Sequence, residues 1–284
     1  MRNVYLKLVL ALGLFTVLAS SLRASQSSFP SAPPSLDEAF HAMYDLNFTF
    51  AKEQVKLFED AHPVDPLGPV AAGAAVLFDM FQKDRVLQAE FFTSDDQYSK
   101  RRPITPNPQA VAEFVSALNR AEQLGNDALN RDPEDRNALF SMTLVHGLRA
   151  DYAALIERRD LAALRLSGHA NEYARRLLAL SPNYYDAYVA TGIEKYLVGL
   201  RSTPVRWALR LGGVKGDVDE GMQELALAAN KGHYLAPFAR ILLAIAYLRK
   251  DQRSDAQRLL AQLRDEYPHN PLFVEELARL NAPR

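Results

Sequence analysis

The residues able to do chemistry in this chain are few, and their spacing argues for binding rather than for a reaction. The six histidines, His41, His62, His146, His169, His233 and His269, contain no HExxH pair and no other short ligand spacing, so they announce no metal site. There is no cysteine, which removes thiol nucleophiles, CxxC redox chemistry, thiolate zinc and disulfides together. No serine stands in a G-x-S-x-G turn. The run GGVKGD, Gly212 to Asp217, has the glycines and the lysine of an anion cradle. It lacks the full G-x-x-x-x-G-K-[ST] pattern and no strand precedes it, so it reads as a turn in which Asp217, with Glu220 three residues on, starts a helix. The carboxylates fall where solvated helix faces need them. Catalytic residues, cofactor and metal are therefore all expected to be absent, and an enzyme would need a site assembled from distant residues. Tyr184, Tyr185, Tyr188 and Tyr196 could stack on a glycan or a peptide, but a spacing of three and eight residues on a helix suits packing between helices.

Behind these residues stands a chain of 284 residues, 48% apolar and 24% charged, the balance of an ordinary globular protein. Its net charge of -1 offers no excess of basic groups to neutralise a phosphate backbone, so nucleic acid is not an expected partner. Residues 1–24 have the form of a signal peptide: Arg2 and Lys7 precede the apolar run Leu8 to Ala19, which is short for a membrane span, and cleavage fits after Ala24 or Ala19. The alternative is an uncleaved anchor. No cysteine follows that could carry a lipid, so the expected location is the periplasm or cell envelope. Residues 25–35, rich in proline and serine, form a spacer that cannot bury a core.

From Leu36 onward apolar residues recur at three and four, as in Ala39, Met43 and Leu46 or Val55 and Phe58, and no stretch alternates like a strand, so the class is all-α. Helix ends are marked by corners at 61–66, 131–135, 180–184, 230–234 and 266–270, because proline or glycine just past a helix cannot continue it.

The segment Pro237 to Asn270 resembles a tetratricopeptide repeat. Leu243, Ala244 and Tyr247 stand on its first helix, Ala256, Leu260 and Leu263 on its second, and Pro268 at its exit. It departs from the consensus at Arg240, where a large aromatic is usual, and at Leu260 and Leu263, where phenylalanine and alanine are commoner. Successive corners at Pro63, Pro133, Pro182, His233 and Pro268 lie 70, 49, 51 and 35 residues apart, so a period of about 34 is interrupted by insertions. Small residues recur at the matching second-helix positions, Ala51, Ala121, Ala170 and Gly221, and at Gly73 and Gly192 on first helices. The reading is five degenerate repeats over residues 36–284, an α-α superhelix closed by the amphipathic helix LFVEELARL. In that helix Leu272, Phe273, Leu277 and Leu280 turn inward while Glu275, Glu276 and Arg279 face water.

The resemblance implies a scaffold that takes a protein or peptide partner on its concave face, through Asn137, Phe140, Leu144, Asp186, Val189 and Tyr196. The same face is strongly apolar at Phe238, Ile241, Ile245 and Leu248. Either it receives an apolar segment of a partner, or the inserted pieces fold into it. The second is favoured here, because so long an exposed apolar strip would promote aggregation. Two insertions have distinct character. Residues 201–211 combine Arg201, Arg206 and Arg210 with Trp207, Leu209 and Leu211, which fits either peripheral contact with a membrane or a plug in the groove; residues 93–108 are polar and proline-broken, as in an exposed loop. The rival to a scaffold is an enzyme or a glycan- or small-molecule-binding protein built on the same helical pairs.

Overall fold

The computed structural model describes residues 35–88, 104–200 and 216–282, which belong to one unit. The leader, nearly all of the spacer, and most of the insertions at 93–108 and 201–217 lie outside the described residues. Among the described residues there are eleven α-helices and no strand: α1 Asp37–Tyr44, α2 Phe48–Ala61, α3 Leu67–Lys83, α4 Pro108–Arg131, α5 Arg136–Leu155, α6 Asp160–Leu180, α7 Tyr188–Gly199 (entered through a 3-10 turn, Tyr185–Ala187), α8 Val218–Lys231, α9 Ala236–Arg249, α10 Arg253–Glu266 and α11 Pro271–Asn281. Each helix packs against the next in the chain, so α1 to α10 form five successive pairs and α11 closes the last.

Four of the five second helices, all but α8, end on a common device. At His62, Asp132, Ser181 and Tyr267 the backbone becomes extended, as a residue before proline must, with φ of -130°, -141°, -143° and -125°. Three residues on, the N–H groups of Asp65, Asp135, Tyr184 and Asn270 donate back to these carbonyls at 3.0–3.1 Å. Asp65, Asp135 and Asn270 then accept from the first turn of the following helix, at Leu67, Ala138 and Leu272. First helices end differently. Leu46, Arg85, Arg158 and Asp251 follow α1, α3, α5 and α9 with φ of 57–60°, and the next N–H bonds back across the last turn, a left-handed stop made without glycine.

Helices within a pair approach closely because of a small residue in a fixed register. Ala51, Ala121, Ala170, Gly221 and Ala256 each stand ten positions before the last residue of their helix, and the four alanines are 0–3% exposed. Three second helices, α2, α8 and α10, have the same length of 14 residues. Counted back from the corners, α4 with 24 residues and α6 with 21 overrun that length at their N-terminal ends, and α5 with 20 overruns the 14 of α9 at its C-terminal end. The surplus between Pro133 and Pro182 thus becomes extra helical turns on the α5–α6 hairpin. It does not fold into the groove, which corrects the expectation for that insertion; helical periodicity simply continues through it.

The line of first helices curls until its start meets its end. Phe40 of α1 stacks on Tyr234 with ring centres 4.5 Å apart, and the Tyr44 hydroxyl donates to the Tyr234 carbonyl at 2.9 Å. Burial lifts the Tyr44 phenol above its ordinary range, so it remains a donor. At the fifth corner the His269 N–H donates to the Asp45 carboxylate at 2.9 Å, and Asn270 Nδ2 donates to the Tyr44 carbonyl at 2.7 Å. Phe78 of α3 meets Phe238 of α9 edge to face at 6.4 Å. Two apolar clusters result, one running from Leu36 to Ala187 and one from Val189 to Leu280, and Tyr44 and Leu235 pack against both. In α11, Phe273, Leu277 and Leu280 face inward as expected and Leu272 is half-buried, but Glu276 is buried rather than in water, held by the Arg279 guanidinium one turn on. That pairing satisfies a charge which the apolar pattern alone had assigned to solvent.

Candidate functional site

The six concave-face residues lie along α5, in the 3-10 turn before α7 and along α7, and the protein uses them internally. Phe140 is fully buried with its ring 5.1 Å from that of Tyr184, and Val189 and Tyr196 are buried. Leu144 is half-buried against the larger cluster. Asn137 donates from Nδ2 to Asp65 at 2.7 Å, tying α5 to the corner before α3. Asp186 is 5% exposed and accepts the N–H groups of His233 at 2.9 and 3.0 Å and of Leu235 at 2.8 Å. This carboxylate does for the fourth corner, which lacks a proline, what the proline-led turn does for the others. On α5 and α7 these side chains are thus taken up by packing, while Phe238, Ile241, Ile245 and Leu248 of α9 stay half-buried. Tyr184, Tyr185 and Tyr188 are likewise spent on packing: Tyr185 and Tyr188 stack at 6.4 Å and the Tyr188 hydroxyl donates to the Pro182 carbonyl.

Replacing Asp186 with alanine leaves two corner N–H groups without an acceptor and is expected to cost about 3 kcal/mol. Urea unfolding followed by circular dichroism measures the loss, and hydrogen exchange should accelerate first at His233 and Leu235. Unchanged exchange at these two amides would contradict the role given to the carboxylate.

Asp217 accepts from the N–H groups of Asp219 and Glu220 and so caps α8, as its spacing suggested, while Glu220 turns to Lys195 at 3.0 Å. Among the histidines, His146 stacks on Tyr173 at 5.6 Å and lies 5.4 Å from His169; burial pushes its pKa down, against the pull of Glu122. Among the described residues no three His, Asp or Glu side chains are grouped to hold a metal ion.

The feature that sequence reasoning missed lies at the opposite edge from the corners. The overrunning ends of α4, α5 and α6 enclose a cleft of about 350 Å³ that opens to solvent. Val115, 44% exposed, with the partly exposed Tyr152, Ala162 and Leu166 gives it an apolar lining over the buried Phe114, Leu118 and Ala153, and Arg149, Arg159, Arg165 and Glu157 supply its charges. Arg149 pairs with Glu122 at 2.8 Å and also donates to Asn119, and Arg159 pairs with Glu157 at 3.3 Å; Arg165 makes no ion pair among the described residues. Just outside it, Leu161 and Leu164 of α6 are 82% and 55% exposed. The 15-residue excess between Pro133 and Pro182 was the signal for this cleft. It marked the place without saying that the excess would be helical.

Helix pairs in a constant register, proline-led corners and a terminal helix that closes the stack decide the architecture. The fold is tetratricopeptide-like. No family model matches the chain, and no curated protein does. Among solved structures it aligns with a thermophilic tetratricopeptide-repeat protein of Thermus thermophilus, over 87% of this chain and 98% of that one, at 14% identity and a TM-score of 0.41.

Proposed function

We propose that this chain is an exported scaffold for protein–protein interaction, with no catalysis of its own, that holds its partner on the outside of the helical stack. The observation that carries this reading is the partly exposed apolar cleft on helical turns that exceed the length of α2, α8, α9 and α10. Contiguous apolar surface rimmed by polar groups is characteristic of interaction sites. Export rests on the form of residues 1–24, and any membrane contact through residues 201–211 rests on their basic, apolar composition; both are part of the proposal. The second reading, a glycan- or small-molecule-binding protein of the cell envelope, draws on the volume of the same cleft, which falls in the range of small-ligand pockets.

The test is to tag the full chain in its native host, read the N-terminus of the mature protein by mass spectrometry, and photo-crosslink from Val115 and, separately, from Leu57 on α2. The expected result is a chain trimmed near Ala24 or Ala19 and one stoichiometric protein crosslinked from Val115 only. A chain that retains its leader in the cytoplasm overturns export. A chain recovered alone and monodisperse, or with a small molecule bound, overturns the scaffold.

A further inference from the structure

Taking the scaffold reading as its ground, we propose that the cleft between the extended ends of α4, α5 and α6 is a docking site for an acidic peptide segment of the partner, one that carries leucine or phenylalanine beside aspartate or glutamate.

The apolar half of that chemistry follows from where the cleft is built. Val115, Tyr152, Ala162 and Leu166 all stand in the turns by which these helices overrun α2, α8, α9 and α10, and although Tyr152 packs on the buried Phe114 across the α4–α5 step, all four keep part of their surface open to the cleft. Packing within the protein leaves Val115 open at the mouth and seals Phe114 and Leu118 at the floor. An aliphatic or aromatic side chain entering here gains contact with a preformed apolar wall, and 350 Å³ is room for a few side chains rather than for a folded surface.

The acidic half follows from the rim. Three guanidinium groups line the cleft against the single carboxylate of Glu157. Glu122 answers Arg149 and Glu157 answers Arg159, which leaves Arg165, exposed at the mouth, as a cation with no counterpart among the described residues. A carboxylate next to the inserted side chain would take that place, with the planar fork of arginine suited to hold it. An anionic lipid surface fits less well. Glu157 and Asp160 stand at the tip of the same hairpin, among the arginines that a flat negative surface would have to meet, whereas a peptide carboxylate can address Arg165 alone.

The experiment uses the full mature chain and fluorescein-labelled peptides in which aspartate or glutamate alternates with leucine or phenylalanine, compared by anisotropy with the same peptides carrying lysine for the acid. The acidic set should bind and the lysine set should not. Arg165→Glu should weaken binding about tenfold or more, Val115→Asp should abolish it, and Leu57→Asp, an equally exposed change on α2, should leave it unchanged. All three sites are on the surface, so equal urea midpoints confirm that the variants fold. Equal binding of both peptide sets, or indifference to Arg165→Glu, overturns the proposal. Binding of phosphatidylglycerol vesicles in place of the peptides, lost in the same variants, overturns it in favour of a lipid, and a dimer in sedimentation that Arg165→Glu dissociates overturns it in favour of a second copy. Its failure is separable from failure of the scaffold reading: a host partner that still crosslinks to the chain in the Arg165→Glu and Val115→Asp variants leaves the scaffold standing and moves the site elsewhere.

Discussion

Gly221→Ala is expected to destabilise the protein by about 3 kcal/mol, a large share of the total for a domain of this kind. A Cβ built on Gly221 would lie 2.5 Å from the Tyr196 nitrogen, 2.7 Å from the Gly192 carbonyl oxygen and 2.9 Å from the Tyr196 Cα. All three are backbone atoms of α7, so no side chain can move aside and the two helices must part. From the other side, a Cβ on Gly192 would meet the Gly221 carbonyl at 3.0 Å, which means that both glycines serve one crossing. Alanine has the better helix propensity by about 1 kcal/mol, and the clash must exceed that before any loss is seen. Gly147→Ala is the matched control. It sits inside α5 where an added Cβ meets nothing within 4 Å, so there the propensity gain stands alone and stability should rise by somewhat less than 1 kcal/mol. Urea unfolding of the two variants should therefore move in opposite directions. A Gly221→Ala protein as stable as the parent would mean that the α7–α8 crossing is not set by backbone contact.

That crossing was legible in the sequence, and the reason is physical. A small residue at a helix crossing is a local requirement repeated once per pair, so Ala51, Ala121, Ala170, Gly221 and Ala256 could be aligned by counting from corners that proline itself marks. The inward face of α11 was legible for the same reason, since amphipathic spacing is local; Glu276 escaped because an apolar count sends every charge to solvent, although its i,i+3 partner Arg279 stood in the pattern. Closure of the stack was not legible. Tyr44 and Tyr234 are 190 residues apart and Tyr44 and Asn270 are 226 apart, and nothing near α1 specifies a carbonyl that far along the chain. This also explains the concave-face residues. Phe140, Asp186 and Val189 hold the positions that the repeat pattern gives to a groove, but each is buried against a partner distant in the chain or outside its own pair: Phe140 on Tyr184, Asp186 on the fourth-corner amides and Val189 in the second cluster. The cleft was hidden for another reason. Its residues come from three helices and the loop between α5 and α6, and become a surface only because all three helices overrun at the same edge.

Asp151→Asn is expected to raise stability by about 2 to 4 kcal/mol above neutral pH and to leave it nearly unchanged near pH 4. Asp151 lies in the extra turns of α5. It is half-buried, makes no hydrogen bond or ion pair among the described residues, and burial alone pushes its carboxyl up to about 7 from an ordinary 3.8. The sign follows from where the proton sits. Below pH 4 the acid is protonated in both the folded and the unfolded chain, so folding carries no penalty from it. Between about pH 4 and 7 the unfolded chain gives up the proton while the folded protein keeps it, and stability falls steadily. Above 7 the folded protein must bury a charge with no partner, and the loss levels off at about 1.4 kcal/mol for each of roughly three pH units, less whatever the open part of the side chain recovers from water. Asparagine has the shape of the protonated acid and nothing to titrate. The difference between the two proteins should therefore be small at pH 4.5, open through pH 6 and be complete by pH 8 when each is unfolded in urea at these three values. Parallel stability curves would show that the Asp151 carboxylate is solvated or paired in the folded protein. A curve for the parent that rises with pH through this window, relative to the variant, would mean that a cation holds the carboxylate ionised.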